Sequence, residues 1–341
     1  MMLTRRGAFG AGLATAAILR SPALRAQGRS CRFTLDWAIS GSTAFALAAV
    51  RNGYFRDEGI EVRMSRGFGS GRVPVDIAGG AHDIGFGDFS SMIRFTAENP
   101  ANAMICVLMV YDGLPVAAVA RRDGPIRVPK DLEGKRIGAP DGDAGRVLFP
   151  VFADAAGFDA SKVEWVSVSP QLREPMLVRG QVDAITGFVS SAVLSLKGLG
   201  LAEDRQVIMR YRDFGVPLYS NCVMTTKRYA EQNPEIVRGV VRAIARGVQS
   251  MVRDPDNATQ AVKEAEPLAE VGIEGQRVRL VNAEMILTEH SRRNGLSVVE
   301  PARLARNLDI LEKVYALPRR PSQEEIYTTA FLPPAADLKL S

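Results

Sequence analysis

The chain has 341 residues, of which 46% are hydrophobic and 24% charged, with 43 basic against 38 acidic side chains and a net charge of +5. This is the balance of an ordinary globular protein long enough for two cores, and it excludes a low-complexity chain. Four of the excess positive charges, Arg5, Arg6, Arg20 and Arg25, fall in the first 26 residues, which contain no acid; the remainder is nearly neutral and offers no electrostatic case for nucleic acid or anionic lipid.

Thr4-Arg5-Arg6-Gly7-Ala8-Phe9 opens an uncharged run to Leu19 that closes on Ala23-Leu24-Arg25-Ala26. A run of thirteen residues is too short to cross a bilayer, which takes about 20, and it suits the apolar region of an export signal. The paired arginines point to the twin-arginine route. Against that pattern, Gly7 and Ala8 separate Phe9 from the pair, and Leu24 is not small; the general secretory route is the alternative. Residues 1–26 are therefore expected to be a cleaved signal, with the mature chain in the periplasm. Cys31, Cys106 and Cys222 are odd in number and widely spaced, so no metal ligand set or disulfide framework follows from them.

The first third alternates strand and helix. Strands are expected over 32–38, 60–65, 83–86 and 104–110, with helices over 44–52, 73–78 and 90–99; Gly53 ends the first helix and Pro100 the last. Such a series implies a mainly parallel sheet covered by helices. A second series follows Pro115, with strands over 116–120, 136–139, 163–168 and 183–186 and helices over 145–156, 175–179 and 190–197. The chain returns through strands over 207–211 and 218–225. The fold class is thus α/β, two Rossmann-like domains joined by two hinge crossings, domain I comprising residues 28–114 and 219–317 and domain II residues 115–218.

The last third is helical. Asn233-Pro234 starts a helix with Val237, Val240, Val241, Ile244, Val248 and Met251 on one face, and Arg238, Arg242 and Arg246 on another. The arginines read as a solvated face, with permease docking as the alternative. Further helices are expected over 274–290 and 301–315, followed by a Pro-rich tail over 318–341.

Gly67-Phe68-Gly69-Ser70-Gly71 follows a strand, but Arg72 occupies the place of the third glycine of a dinucleotide loop. His82 and His290 lie apart from any ligand spacing, which speaks against a zinc site or a histidine triad. Asp36, Asp88, Asp112, Asp143 and Asp183 sit at strand ends, where capping and turns are their ordinary roles. What remains is a set of loops at strand C-termini, where open α/β sheets bind ligands. They carry Trp37, Ser40, Gly41, Phe68, Gly69, Ser70, Asp88, Phe89, Ser90, Asp143, Gly145, Arg146, Gly187 and Phe188 as candidate ligand-binding residues in a cleft between domains. No residue is singled out as catalytic. In one arrangement, Trp37, Phe68, Phe89 and Phe188 sandwich a flat ring whose edge meets Asp88 and Ser90. In the other, Gly145 and Arg146 at a helix start hold a carboxylate, sulfonate or phosphate.

Leu35-Asp36-Trp37, Asn52-Gly53-Tyr54-Phe55, Gly80-Ala81-His82-Asp83-Ile84-Gly85, Leu132-Glu133-Gly134-Lys135-Arg136-Ile137 and Gly180-Gln181-Val182-Asp183-Ala184 resemble, in order and spacing, the periplasmic solute-binding proteins for nitrate, sulfonates, taurine and thiamine precursors. Pyrimidine-precursor synthases of fungi are related to them. The likeness covers most of residues 32–255. It implies a type II periplasmic binding protein fold, a monomer that closes on a small-molecule solute and delivers it to an ABC permease with its ATPase, and no cofactor. It also implies what a synthase would need: a lysine where Gly87 stands, a histidine where Thr43 stands, and a cysteine cluster where residues 217–222 hold one cysteine. The resemblance therefore points away from an enzyme, and an exported sensor module that presents the same closed form to a receptor is the alternative to transport.

Overall fold

A computed structural model describes residues 29–340; the export signal read in residues 1–26 lies outside the described residues. Among the described residues, ten strands form two sheets. β1 (Arg29–Thr34), β2 (Ile60–Ser65), β3 (Ile84–Asp88), β4 (Met104–Met109) and β10 (Asn221–Thr226) build the first, in the order β2-β1-β3-β10-β4. β5 (Val116–Arg121), β6 (Arg136–Ala139), β7 (Glu164–Ser167), β8 (Ala184–Phe188) and β9 (Gln206–Arg210) build the second, in the order β7-β6-β8-β5-β9. Each sheet is the middle of one α/β lobe, and the chain passes between lobes twice, from β4 to β5 and from β9 to β10. The apolar run of β4, Met104-Ile105-Cys106-Val107-Leu108-Met109, is buried throughout, as befits a strand covered on both faces.

Neither sheet is wholly parallel. β10 lies antiparallel between β3 and β4, and β5 antiparallel between β8 and β9. The reason is the route of the chain: it leaves each sheet at the C-terminal ends of the parallel strands, and so it enters the next sheet from that side and must run against them. Both crossings therefore lie beside the strand ends that face the cleft.

The two Gly-x-x-Asp segments do the same structural work in both lobes. Arg32, midway along β1, holds Asp83 with its backbone N–H at 2.8 Å and its guanidinium at 2.6 and 3.1 Å, and also donates to the Gly80 carbonyl. Arg136 at the start of β6 holds Asp183 at 3.0 to 3.2 Å and reaches the Gly180 carbonyl. Gly80 and Gly180 take positive φ, 77° and 69°, at the turn that sets this register.

Several expectations are corrected. β1 ends at Thr34 rather than Ala38, because the Asp36 and Trp37 carbonyls accept from Gly69 and Gly67 and the chain leaves the sheet. The helix expected over 274–290 runs over Val271–Val281, passes into a π turn over Asn282–Ile286, and restarts at Glu289 under a Thr288 cap. At the π turn, Gly113 donates to the Met285 carbonyl at 3.1 Å and packs against the Glu284 carbonyl, which ties this break to the first crossing. A helix over Pro255–Ala265, capped by Asp254, lies where none is expected. The segment over 318–340 is no loose tail: Tyr327 bridges to Cys106 at the β4 edge, and Ile326 and Leu338 are buried. The arginines of the helix Pro234–Arg253 are not simply solvated. Arg242 binds Glu58 and Arg246 binds Asp57 while lying 4.0 Å over the Tyr54 ring, so they fasten the helix to the Gly-aromatic turn.

Candidate functional site

Between the C-terminal ends of the two sheets lies a small inner cavity, lined by Asp36, Trp37, Ser42 and Ser70 from the first lobe and Asp143, Arg173, Phe188 and Ser191 from the second. Trp37 also forms part of a wider vestibule of about 1050 Å³ that opens outward between helices Val189–Gly198 and Val271–Val281. The lobes meet around the inner cavity. Ser42 donates to Ser190 at 2.9 Å, Gly71 N–H to the Gly142 carbonyl at 3.1 Å, and Arg277 to the Ser190 carbonyl at 3.0 Å. This is a closed cleft.

Asp36 leaves β1 pointing into the first lobe's end of the cavity. Its Oδ2 accepts from Asn221 Nδ2 at 2.8 Å, whereas its buried Oδ1 has no partner among the described residues. Burial pushes this carboxyl from 3.8 up to about 7. Across the cleft, Asp143 begins a short helix and accepts from Gly145 N–H at 2.9 Å, Arg146 N–H at 3.2 Å, Thr186 Oγ1 at 2.8 Å and Arg173 Nη1 at 2.9 Å. Arg173 is buried, gives a second branch to Glu174 at 2.6 Å, and lies 4.6 Å over the Trp37 ring. The site thus presents one aromatic platform, a second ring in Phe188, an unpartnered carboxyl oxygen, and a guanidinium already shared by two carboxylates.

Of the fourteen residues expected from the sequence, Trp37, Ser70, Asp143 and Phe188 line the inner cavity. The others do not. Phe68 is 50% exposed and carries the Arg66 guanidinium at 5.1 Å, because Gly67 and Gly69 are drawn onto the Trp37 and Asp36 carbonyls and turn Phe68 outward. Gly69 itself abuts Gly142, where an added Cβ would come within 2.3 Å of the carbonyl oxygen, so it forms the lip. Asp88 is fully buried as the cap of helix Phe89–Glu98, accepting from Ser91 N–H at 2.6 Å, and burial pushes it up to about 6. Phe89 is core, edge-on to Tyr219, and Ser90 is buried beside it. Ser40 caps the turn Gly41–Thr43, and Gly41 lets the helix Val271–Val281 close in, its N–H donating to Glu274 at 2.6 Å.

The anion arrangement is the larger correction. The N–H groups of Gly145 and Arg146 are already taken by Asp143, and the helix they begin, Ala144–Val147, has only four residues. The Arg146 guanidinium turns from the cavity to Asp141 at 2.5 Å and Ser167 at 2.8 Å, over the Trp165 ring. Gly187 instead makes room for Arg173: a Cβ there would sit 2.5 Å from Nη1. Asp36, Ser42, Arg173 and Ser191 are the lining residues that sequence reasoning did not place. Asp36 was within reach, since it stands inside Leu35-Asp36-Trp37; Arg173 lies in a short helix whose sequence shows no periodicity.

Residues 41–258 match the family model described as NMT1/THI5 like. The chain belongs to that family. Among curated relatives within reach of it, the riboflavin-binding protein RibY of Chloroflexus aurantiacus is 26% identical over 263 residues, 75% of this chain and 73% of that protein. The formylaminopyrimidine-binding protein of Halalkalibacterium halodurans is 26% identical over 230 residues, 66% and 67% of the two chains. The 4-amino-5-hydroxymethyl-2-methylpyrimidine phosphate synthase of Legionella pneumophila is 22% identical over 233 residues, 68% and 72%. In three dimensions the alkanesulfonate-binding protein SsuA of Xanthomonas axonopodis superposes with a TM-score of 0.67 at 14% identity, over 88% of this chain and 98% of that one. The likeness shows that this NMT1/THI5-like chain has the periplasmic binding protein fold.

Proposed function

We propose that this chain is an exported solute-binding protein that captures a flat nitrogen heterocycle in the interdomain cleft and presents it, as a monomer, to an ABC permease with its ATPase. The observation that carries the ring over the anion is the pairing of the cavity's charges. Arg173 is engaged by Asp143 and Glu174, whereas Asp36 keeps one buried oxygen free beside Trp37. A ring N–H or exocyclic amine satisfies that oxygen, whereas a sulfonate or carboxylate finds the cavity's guanidinium already paired with Asp143 and Glu174. Stacking on an aromatic wall adds roughly 0.5–1.5 kcal/mol beyond burial. Two of the relatives are named for heteroaromatic ligands, which supports the same class.

A synthase reading draws on the Legionella relative, but Gly87 gives it little support. A Cβ at that position would lie 2.6 Å from the Val73 Cβ, so the site leaves no space for a reactive lysine. Export fits the fold's neighbours, and among the described residues no helix is long and apolar enough to cross a membrane. The deciding experiment is mass spectrometry of the small molecule released when protein purified from the periplasm is denatured. A heterocycle with a ring N–H or amino group supports the reading; a sulfonate, nitrate or taurine in its place ends it.

A further inference from the structure

The inner cavity and the vestibule share Trp37, so a ligand stacked on that ring reaches both. The vestibule is the larger chamber, and its polar lining carries both signs: Glu174, Glu270 and Glu274 against Arg66 and Arg277. Most of these groups are engaged. Glu174 holds Arg173, Glu274 holds Arg277 and the Gly41 N–H, and Glu270 caps the helix Val271–Val281 through Ile273 N–H at 3.2 Å. Arg66 differs. Its guanidinium stacks on Phe68, and its buried Nε meets no acceptor among the described residues.

We infer that the ligand has two parts, the flat head proposed above in the inner cavity and a neutral polyhydroxyl arm that runs past Trp37 into the vestibule, with Arg66 donating to an arm oxygen. The inference rests on the ring reading. Hydroxyls fit this lining because each both donates and accepts, so one arm can give hydrogen bonds to the carboxylates and take one from Arg66. An apolar arm leaves the Arg66 Nε as it stands in this structure, buried and without an acceptor, whereas a hydroxyl oxygen supplies one. A phosphate at the end of the arm brings negative charge among three carboxylates.

Calorimetric titration with three pairs, each an unarmed ring and the same kind of ring with a polyhydroxyl arm, tests this: cytosine and cytidine, adenine and adenosine, lumichrome and riboflavin. In every pair that binds, the armed member should bind at least about tenfold tighter, and Arg66→Ala should remove most of that difference while the unarmed ring keeps its affinity. Glu270→Gln, at an exposed position, provides a second variant on the opposite wall and should weaken only armed rings. Armed and unarmed affinities within about twofold of each other, or an unchanged ratio in Arg66→Ala with a native circular dichroism spectrum, would overturn the arm. Adenosine monophosphate binding more tightly than adenosine would replace it with an anionic one. Failure of all six compounds to bind removes the ring reading itself, and the arm with it.

Discussion

The Arg173 guanidinium lies 4.6 Å over the Trp37 ring, and this contact joins the body of the second lobe to the loop that leaves β1 in the first. Arg173 is fixed from its own side by Asp143, Glu174 and Ser191, so the planar cation is held ready when Trp37 arrives. Closure and the proposed stacking of the ligand therefore share one aromatic ring.

Removing Arg173 should cost stability before it costs anything else. Arg173→Ala leaves Asp143 and Glu174 buried without their cation, and breaking such a pair typically costs about 3–5 kcal/mol. The denaturation midpoint should fall sharply. Gly187→Ala should produce a milder version of the same defect, since its Cβ pushes on Nη1. Urea unfolding of both variants checks this, and a wild-type midpoint for Arg173→Ala would contradict the buried network.

Trp37→Ala should lower affinity for the ligand about five- to a hundredfold, equivalent to about 1–3 kcal/mol, with little dependence on salt. Arg146→Ala should change affinity by less than about twofold, because that guanidinium is spent on Asp141 and Ser167 away from the cavity. Titration calorimetry with the co-purified compound measures both. The reverse order would restore the anion arrangement.

The lips of the cleft give a test of closure. At Gly69, φ is 142° and an added Cβ would come within 2.3 Å of the Gly142 carbonyl on the other lobe, so Gly69→Ala should hold the lobes apart. Ligand should then fail to shrink the radius of gyration as it does in the wild type, and affinity should drop. Small-angle scattering with and without ligand reads the first effect. Identical wild-type curves in both states would mean a rigid cleft.

Stability should fall as pH rises through the near-neutral range. Burial raises Asp36 to about 7 and Asp88 to about 6 from 3.8, and burial raises Asp143 as well. From about pH 4 to pH 7 the folded chain keeps protons that the unfolded chain has released, so each unit of pH in that window favours unfolding, and the loss levels off above it. The ligand-free protein should unfold at lower urea at pH 8 than at pH 5. Asp36→Asn should flatten part of that slope, the amide oxygen still accepting from Asn221. Equal midpoints at the two pH values in the wild type would rule out a buried, protonated Asp36.

Much of the fold was legible because it is local. Val73–Ala78, Pro234–Arg253 and Pro301–Tyr315 begin and end where Pro, Gly and apolar spacing say they should. The Gly-x-x-Asp repeats marked strand starts correctly, although the arginines that hold Asp83 and Asp183 lie about fifty residues earlier, on the neighbouring strand. The break at Asn282–Ile286 was not legible, since it answers to Gly113 at the first crossing rather than to its own residues.

For the cavity, the sequence by itself determined that loops would gather at strand ends, and that Trp37, Ser70, Asp143 and Phe188 would be on them. Tertiary structure decided which charge each of these residues meets. Arg146 and Arg173 are equally basic as letters, but each guanidinium goes to the carboxylates that the fold brings within its reach. Asp141 claims Arg146 at the surface, whereas the buried Asp143 and Glu174 draw Arg173 into the space that Gly187 leaves open, beneath Trp37 from the other lobe. Those partners stand up to 136 residues apart in the chain, so only the packing of the two lobes could bring them together.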